Sequence, residues 1–213
     1  MKLFTIGHSN HTIEEFVALL QKHKITAVAD VRSHPYSKYL PHFNHKPLKA
    51  FLLKAGIDYV FLGQELGARS SNTSCYINGK AVYEKIASTP EFEDGIERIL
   101  KGVESYNIAL MCAEQDPITC HRVILVCQRL KKYDLDINHI LKNGDLESHG
   151  HLEERLLELH NLQPKQQVQL SLFDSLSLST EYSREESLHK AYQLQGDKIA
   201  YVEKVEVEDG ETS

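Results

Sequence analysis

One stretch decides the fold: residues 3–33, which read LFTIGHSNHTIEEFVALLQKHKITAVADVRS. The apolar run over residues 3–7 predicts a buried strand. Thr12, with Glu15 three residues later, predicts a capping box, and the apolar residues that follow keep helical spacing. A second apolar run, 25–31, predicts the next strand. Strand, helix and strand in this order favour neighbouring parallel strands.

The same alternation continues along the chain. Further strands are predicted at 57–62, 108–112 and 137–141, and further helices at 48–55, 91–105, 117–133 and 152–162. This pattern predicts a mostly parallel, doubly covered α/β sheet of about five strands in a single domain, residues 1–162. The polar remainder, 163–213, is predicted to be a mostly extended or disordered tail. The β-branched residues of 199–207 could form a docked strand.

Composition limits the class of protein. Hydrophobic residues make up 41% of the chain and charged residues 25%, which is enough for a sizeable core. No run of 18 apolar residues exists, and the first six residues are too short and too soon polar for a signal peptide. The four cysteines do not form a close-spaced disulfide framework. We therefore expect a cytoplasmic protein with free, catalytic or metal-bound thiols and no membrane contact.

Polar side chains gather where the predicted strands end. In open α/β sheets, ligands bind outside the carboxyl ends of the strands. Each residue also has an ordinary structural alternative, since His8 could cap a helix, Arg32 could pair with Asp30 and Cys112 could be a core residue. Repetition at four strand ends favours a functional site. Its candidate substrate or phosphate ligands are Ser9, Arg32, Ser33, Arg122, His139 and His149.

The segment Cys120-His121-Arg122 is the most informative of these clusters. Pro117 suits a first helical turn, which places Cys120 in that turn, where free amides and the helix dipole stabilise a thiolate. A nucleophilic cysteine with carboxylate and imidazole proton carriers is one interpretation. The alternative has Cys120 facing the core and Arg122 facing water. The candidate catalytic residues are Cys120, Glu114, His8, His121 and Asp30.

A zinc site is the less favoured chemistry. Cys112, Cys120, His121 and His149 could surround the ion. Structural zinc sites usually pair ligands two to four residues apart, whereas seven residues separate Cys112 from Cys120. Neighbouring helical residues also point in different directions, so Cys120 and His121 would not easily share one ion. We therefore predict no metal site, and the predicted chemistry requires no cofactor.

The segment 32–54 has a different character. Between residues 22 and 54 there are seven lysines and arginines and one acid, Asp30, and Tyr36, Tyr39, Phe43 and four histidines lie among them. Basic side chains interleaved with aromatics suit DNA or RNA, through phosphate contacts and base stacking. The alternative is an ordinary basic loop and helix face.

Five motifs over residues 1–150 resemble the domain-of-unknown-function family 488. The resemblance implies a Rossmann-like α/β fold and a polar cleft at these motifs, and it implies no reaction. The motifs are Thr5-Ile6-Gly7-His8-Ser9; Asp30-Val31-Arg32-Ser33 with Pro35 and Ser37; Leu62-Gly63 to Leu66-Gly67; Leu110-Met111-Cys112-Ala113-Glu114 with Pro117 and Cys120-His121-Arg122; and Ile137-Asn138-His139-Ile140 with Gly144 and His149.

The tail carries a short motif of its own. Residues 169–173, Gln169-Leu170-Ser171-Leu172-Phe173, resemble the pentapeptide that binds the bacterial sliding clamp. Leu170, Leu172 and Phe173 could enter an apolar pocket, with Gln169 making a polar contact. The alternative is an amphipathic segment that folds back onto the domain.

Three hypotheses follow. The leading one is an enzyme of bacterial DNA maintenance that acts on a nucleic acid or nucleotide and is recruited by the sliding clamp. The second is a non-catalytic adaptor that binds nucleic acid. The third is a small-molecule enzyme with a Cys/His/Glu site unrelated to DNA.

Overall fold

A computed structural model describes residues 1–163 and 183–203. No helix in these ranges is long and apolar enough to cross a membrane. The strands are β1 (Lys2–Gly7), β2 (Ala27–Asp30), β3 (Asp58–Phe61), β4 (Tyr76–Ile77), β5 (Lys80–Ala81), β6 (Ile108–Cys112), β7 (Asp136–Ile140) and β8 (Leu146–Ser148). The α-helices are α1 (Ile13–Lys22), α2 (His45–Lys54), α3 (Gly63–Leu66), α4 (Tyr83–Ile86), α5 (Pro90–Gly102), α6 (Gln128–Leu130), α7 (His149–Leu159) and α8 (Arg184–Ile199).

The main sheet has six strands in the order β3-β2-β6-β1-β7-β8. All neighbouring strands run parallel except β7 and β8, which are antiparallel. The predicted mostly parallel sheet is therefore confirmed, with a short antiparallel edge strand in addition. The register sets Gly7 beside Cys112 and Asp30 beside Met111, so the carboxyl ends of three central strands lie side by side.

Two apolar layers cover the sheet. Along β1, Phe4 and Ile6 point to the layer that contains Phe16 of α1, whereas Leu3 points to the opposite layer with Ile96 of α5. The alternation follows from the two-residue period of a strand. Helix α1 begins at the predicted capping box, in which Thr12 and Glu15 each accept from the other's backbone N–H.

The C-terminal segment differs from its prediction. Instead of an extended or disordered chain, residues 184–199 form helix α8, which buries Leu188, Ala191 and Tyr192 against the domain. The spacing of these residues is helical, but the polar residues between them lower the apolar signal of the segment. Of the docked strand expected over 199–207, the described residues show one antiparallel bridge between Val202 and Lys80, beside which Tyr201 O accepts from the Ala81 N–H. Residues 204–207 lie outside the described part of the chain. The motif 169–173 lies outside the described residues.

Candidate active site

The site begins where β1 and β6 end. Their pairing continues past the strands, because the N–H of His8 donates to Cys112 O and that of Ser9 to Ala113 O, both at 2.9 Å. Gly7 allows the loop after β6 to lie directly against β1, since a Cβ on residue 7 would be 1.9 Å from Glu114 O. The absence of a side chain at Gly7 therefore allows the backbone of Glu114 to lie this close to β1.

The chain does not form the helix that was predicted from Pro117 to about residue 133. A 3-10 turn over Pro117–Thr119 is followed by extended backbone at Cys120 (φ −128°, ψ 138°). A π-helix then forms over Arg122–Cys127 and continues directly into α6. Cys120 therefore does not lie in the first turn of a helix. It precedes the π-helix, and its carbonyl accepts from the N–H groups of Val123 and Ile124.

This extended step brings together four reactive side chains, Cys112, Glu114, Cys120 and His121. Glu114 Oε2 lies 3.0 Å from Cys112 Sγ and 2.9 Å from Cys120 Sγ. His121 Nδ1 is 3.6 Å from Cys112 Sγ, and its Nε2 donates to Val31 O at 2.9 Å. One ligand atom from each residue lies within 4.8 Å of the other three. We call these four residues the thiol cluster.

Burial is uneven within the thiol cluster. Cys112, Cys120 and His121 are buried, at 3%, 1% and 8% exposure. Glu114 is exposed as a residue, although its Oε2 lies against the two sulfurs. Glu114 is therefore the residue of the cluster that meets solvent.

The electrostatics separate the two thiols. Burial raises the pKa of Cys112 well above its usual range, and the neighbouring Cys120 adds to the rise. Burial acts in the same direction on Cys120, but the contact with Cys112 and the charges of Arg122 and His121 outweigh it and hold the pKa of Cys120 well below its usual range. Burial also raises the pKa of Glu114. The two thiols therefore differ, with the pKa of Cys120 shifted down and that of Cys112 shifted up.

Arg122 supports this loop from below. Its side chain is buried, at 1% exposure. Nη1 donates to Glu114 O at 2.7 Å, and Nη2 donates to Gln115 O at 3.3 Å. The alternative interpretation of the sequence, in which Arg122 faces water, is therefore wrong for this residue. The guanidinium positions the loop of Glu114, and its role as a phosphate ligand stays a prediction.

Arg32 and Asp30 form a buried ion pair at the end of β2. Arg32 Nη2 lies 2.6 Å from Asp30 Oδ2, which also accepts from the Tyr59 hydroxyl at 2.8 Å. Arg32 Nη1 reaches His8 Nε2 at 3.1 Å, and Nη2 donates to Phe43 O at 2.9 Å. Burial, followed by the charge of Arg32, lowers the pKa of His8 to about 4. This network holds the strand ends together, and His8 and Asp30 contact Arg32 rather than the thiols.

His139 and His149 lie in a second buried network, between β7 and α7. His139 Nδ1 is 2.9 Å from Thr5 Oγ1, and its Nε2 is 3.2 Å from His149 Nδ1. His149 Nε2 in turn meets the Tyr192 hydroxyl of α8 at 3.1 Å. The structure therefore does not place His149 with Cys112, Cys120 and His121.

A cleft of about 320 Å³ opens above the thiol cluster. Arg69 brings an exposed guanidinium to it, with Cζ 4.3 Å from the centre of the Tyr201 ring. A larger cavity of about 670 Å³ lies beside the edge strand β3, but no cysteine or histidine lines it. We therefore take the smaller cleft as the site. It is lined by Arg32, Ser33, His34, Ala68, Arg69, Tyr83, Cys112, Ala113, Glu114, Thr119, His121, Ile199 and Tyr201.

Sequence reasoning missed two parts of this site. Cys112 is absent from the predicted catalytic residues, although it ends β6 as Asp30 ends β2. Ile199 and Tyr201 were assigned to the tail, and no sequence signal beyond the β-branched run pointed to a place in the cleft. Ser9 remains near the loop, where its hydroxyl lies 3.4 Å from Gln115 Oε1.

Fold and site define a class: an α/β protein with a thiol, carboxylate and imidazole group at the carboxyl edge of a parallel sheet. The sequence model of the family described as Domain of unknown function DUF488 matches residues 12–128. The chain belongs to this family, whose description assigns no activity. No curated protein and no solved structure matches the chain significantly.

Proposed function

We propose that the protein is an enzyme that acts on a nucleic acid or nucleotide, with the thiol cluster as its reacting centre. The observation that carries the proposal is the convergence of Cys112, Glu114 and His121 on one cleft, with Cys120 directly behind them. Groups that can attack, donate and accept protons rarely meet in a merely structural core. Glu114 is placed to move protons because its carboxylate faces the cleft.

The residues that line the cleft apart from the thiol cluster favour an anionic substrate. Arg69 and His34 are exposed there, and Ser33 contributes a hydroxyl. Most of the Arg32 donors are already used by Asp30 and Phe43, so Arg69 is the guanidinium with room for a phosphate.

A nucleic acid is supported by the loop that leaves the cleft after Ser33. Tyr36 is 73% exposed and Tyr39 is 90% exposed, and Lys38 lies between them. Exposed aromatic rings beside lysines offer stacking surfaces for bases and charge for the backbone. Lys46 and Lys49 of α2 extend the positive charge of this surface.

The binding part of the proposal is tested with a fluorescent single-stranded oligonucleotide. Replacing both Tyr36 and Tyr39 with alanine should weaken binding by about 1–3 kcal/mol for each lost base contact. Tyr106→Ala is the matched control, because Tyr106 is 43% exposed just before β6, at the amino ends of the strands, whereas the cleft lies at their carboxyl ends. Equal affinity of the double variant and the control would contradict the nucleic-acid surface.

The catalytic part is tested by turnover of single-stranded and double-stranded oligonucleotides and of nucleoside triphosphates. Glu114→Gln and Cys120→Ser should lose activity by about 100-fold or more, as expected for a missing proton carrier or nucleophile. Cys75→Ser is the control, since Cys75 is buried outside the cluster. Full activity in the Cys120→Ser protein would remove the nucleophile role.

Recruitment by the bacterial sliding clamp, in DNA maintenance, rests on the motif Gln169–Phe173 alone. Its test is binding of the full chain to purified clamp, beside a variant with Leu172 and Phe173 changed to alanine. Micromolar or tighter binding that the variant loses would support recruitment. No binding by the intact protein would reject it.

Exposed Tyr36 and Tyr39 also support the second candidate, a non-catalytic adaptor that binds nucleic acid. In an adaptor, Cys120→Ser would leave the biological effect intact while charge reversal at Lys38 and Lys46 abolishes it. A small-molecule enzyme would show turnover that depends on Cys120 and is unchanged by both the tyrosine and the lysine variants.

A further inference from the structure

We infer that the thiol cluster is a zinc site in which Cys112, Cys120 and His121 bind Zn²⁺ and Glu114 occupies the fourth, cleft-facing position. The inference rests on the proposed function only in its choice of the same reacting centre. It stands on the arrangement of the four side chains, and it concerns a metal that the sequence pattern did not favour.

The spacing of the ligand atoms suits a tetrahedral ion. Atoms bound 2.0–2.3 Å from zinc stand roughly 3.3–3.8 Å apart in a tetrahedron. Cys112 Sγ and His121 Nδ1 are 3.6 Å apart, and Glu114 Oε2 is 3.0 Å and 2.9 Å from the two sulfurs. All four ligand atoms lie within 4.8 Å of one another. Shifts of less than about 1 Å would complete the tetrahedron.

The imidazole is already oriented for metal binding. Val31 O only accepts hydrogen bonds, so His121 Nε2, at 2.9 Å from it, carries a proton. In the neutral ring, the lone pair is then on Nδ1, which faces Cys112 Sγ. A backbone carbonyl that fixes the distant nitrogen is the usual support of a metal-binding histidine.

Charge gives a second, independent reason. Two thiols and a carboxylate meet at one largely buried point, and three acidic groups in such a place repel each other once ionised. A divalent cation removes this repulsion, whereas Arg122 directs its donors to the carbonyl oxygens of Glu114 and Gln115. Zinc binding needs both sulfurs as thiolates and His121 as neutral imidazole. From two thiols and a neutral imidazole, binding therefore releases the two thiol protons to water, and His121 keeps its Nε2 proton.

Two features of the sequence counted against zinc, the seven residues between Cys112 and Cys120 and the adjacency of Cys120 and His121 in a predicted helix. The chain is not helical at Cys120, and the fold brings the two cysteines together. Cys120 is extended, so its side chain and that of His121 reach the same point despite being adjacent. The turn over Pro117–Thr119 folds this segment back onto the end of β6. Ligands that are distant in sequence, Cys112 and Cys120, therefore become neighbours. Because Glu114 is exposed, it is the ligand that water or substrate could replace, and zinc-bound water ionises near pH 7.

The experiment uses the full chain, purified under reducing conditions, stripped with a chelator and titrated with Zn²⁺ or Co²⁺. We expect one metal ion per chain, and in the cobalt form a sulfur-to-metal charge-transfer band together with the intense visible bands of tetrahedral Co²⁺. A chain that takes up no Zn²⁺, or a cobalt form without the charge-transfer band, would overturn the inference. These readouts need no variant and no substrate.

Variants then assign the ligands. Cys112→Ser and Cys120→Ser should each weaken zinc binding by about 100-fold or more, the upper end of what loss of a mere supporting contact costs. Cys75→Ser and Cys127→Ser should bind zinc as the unchanged protein does, because these cysteines lie outside the cluster. Glu114→Gln, at an exposed position, should fold, keep the charge-transfer band and shift the visible bands. Undiminished zinc binding by Cys112→Ser or Cys120→Ser would overturn the assignment. A zinc-loaded protein that binds no oligonucleotide would reject the proposed substrate and leave the metal site standing.

Discussion

His139 Nε2 lies 3.2 Å from His149 Nδ1, and both rings are buried. The proton positions in this pair follow from the donors and acceptors at the two ends of its hydrogen-bond network. Arg122 Nε can only donate, and it lies 3.4 Å from Thr5 Oγ1. Thr5 Oγ1 accepts from Arg122 and still has its own proton to donate to His139 Nδ1, which would leave the proton of His139 on Nε2, facing His149.

The groups at the Tyr192 end of the network set the direction of its hydrogen bonds. His149 Nε2 carries its proton toward the Tyr192 hydroxyl, which donates to Glu153 Oε1 at 3.1 Å. Glu153, paired with Lys131, can only accept. The network thus has one consistent direction with both histidines neutral, and it ties β1 to helix α8.

The first prediction is loss of stability in mild acid. Burial, followed by the charge of His149, lowers the pKa of His139 well below its usual range, and burial lowers the pKa of His149 to about 4. The unfolded chain takes up protons near pH 6.5, and the folded chain does not until about pH 4. The free energy of unfolding should therefore fall as the pH drops from about 6.5 to 4, by up to about 1.4 kcal/mol per unit of pKa difference. Urea unfolding at several pH values measures this.

A matched pair of variants isolates the histidine. His149→Gln should show a flatter dependence of stability on pH over this range, whereas His189→Gln, at an exposed position of α8, should follow the unchanged protein. Parallel curves for all three proteins would contradict the role of His149.

The second prediction concerns the Tyr192 hydroxyl, which joins α8 to the network. Tyr192→Phe leaves the His149 Nε2–H without this acceptor in a buried place, and the expected cost is about 1–3 kcal/mol. Tyr133→Phe is the control, since Tyr133 is 38% exposed. Thermal unfolding of both variants decides the matter, and equal midpoints would show that the hydroxyl contributes nothing.

The third prediction separates a buried ion pair from an exposed one. Arg32→Met leaves Asp30 without its charge partner at 0% exposure, which should cost about 3–5 kcal/mol. Arg98→Met breaks the pair with Glu65, in which the arginine is half-exposed, and should cost less than about 1 kcal/mol. Chemical denaturation measures both. A loss of less than 1 kcal/mol for Arg32→Met would mean that Asp30 is relieved by water or by a proton.

The fourth prediction tests the close contact under Glu114. Gly7→Ala sets a Cβ at 1.9 Å from Glu114 O, so the loop must move, at a cost of about 1–3 kcal/mol. Gly150→Ala, in α7, meets no atom within 4 Å and should stabilise the protein by about 0.4–1 kcal/mol. Opposite signs in thermal unfolding are expected. An unchanged midpoint for Gly7→Ala would contradict the tight contact.

The sequence by itself determined the sheet and most of its helices. Apolar runs of five to seven residues that alternate with helical spacing leave few arrangements other than a covered parallel sheet, and the capping box at Thr12 is a local interaction. The same logic placed Asp30 and Glu114 at strand ends, because parallel strands present their carboxyl ends at one edge.

Only the tertiary structure decided which of these side chains meet. Cys120 joins Cys112 because the backbone is extended there, a choice that depends on contacts with β1 and β2. Helix α8 and Tyr201 reach the cleft through long-range packing, which local composition does not encode. Local periodicity fixes which faces are apolar, whereas the approach of segments distant in sequence depends on the whole core, and the chemistry of this protein lies in those approaches.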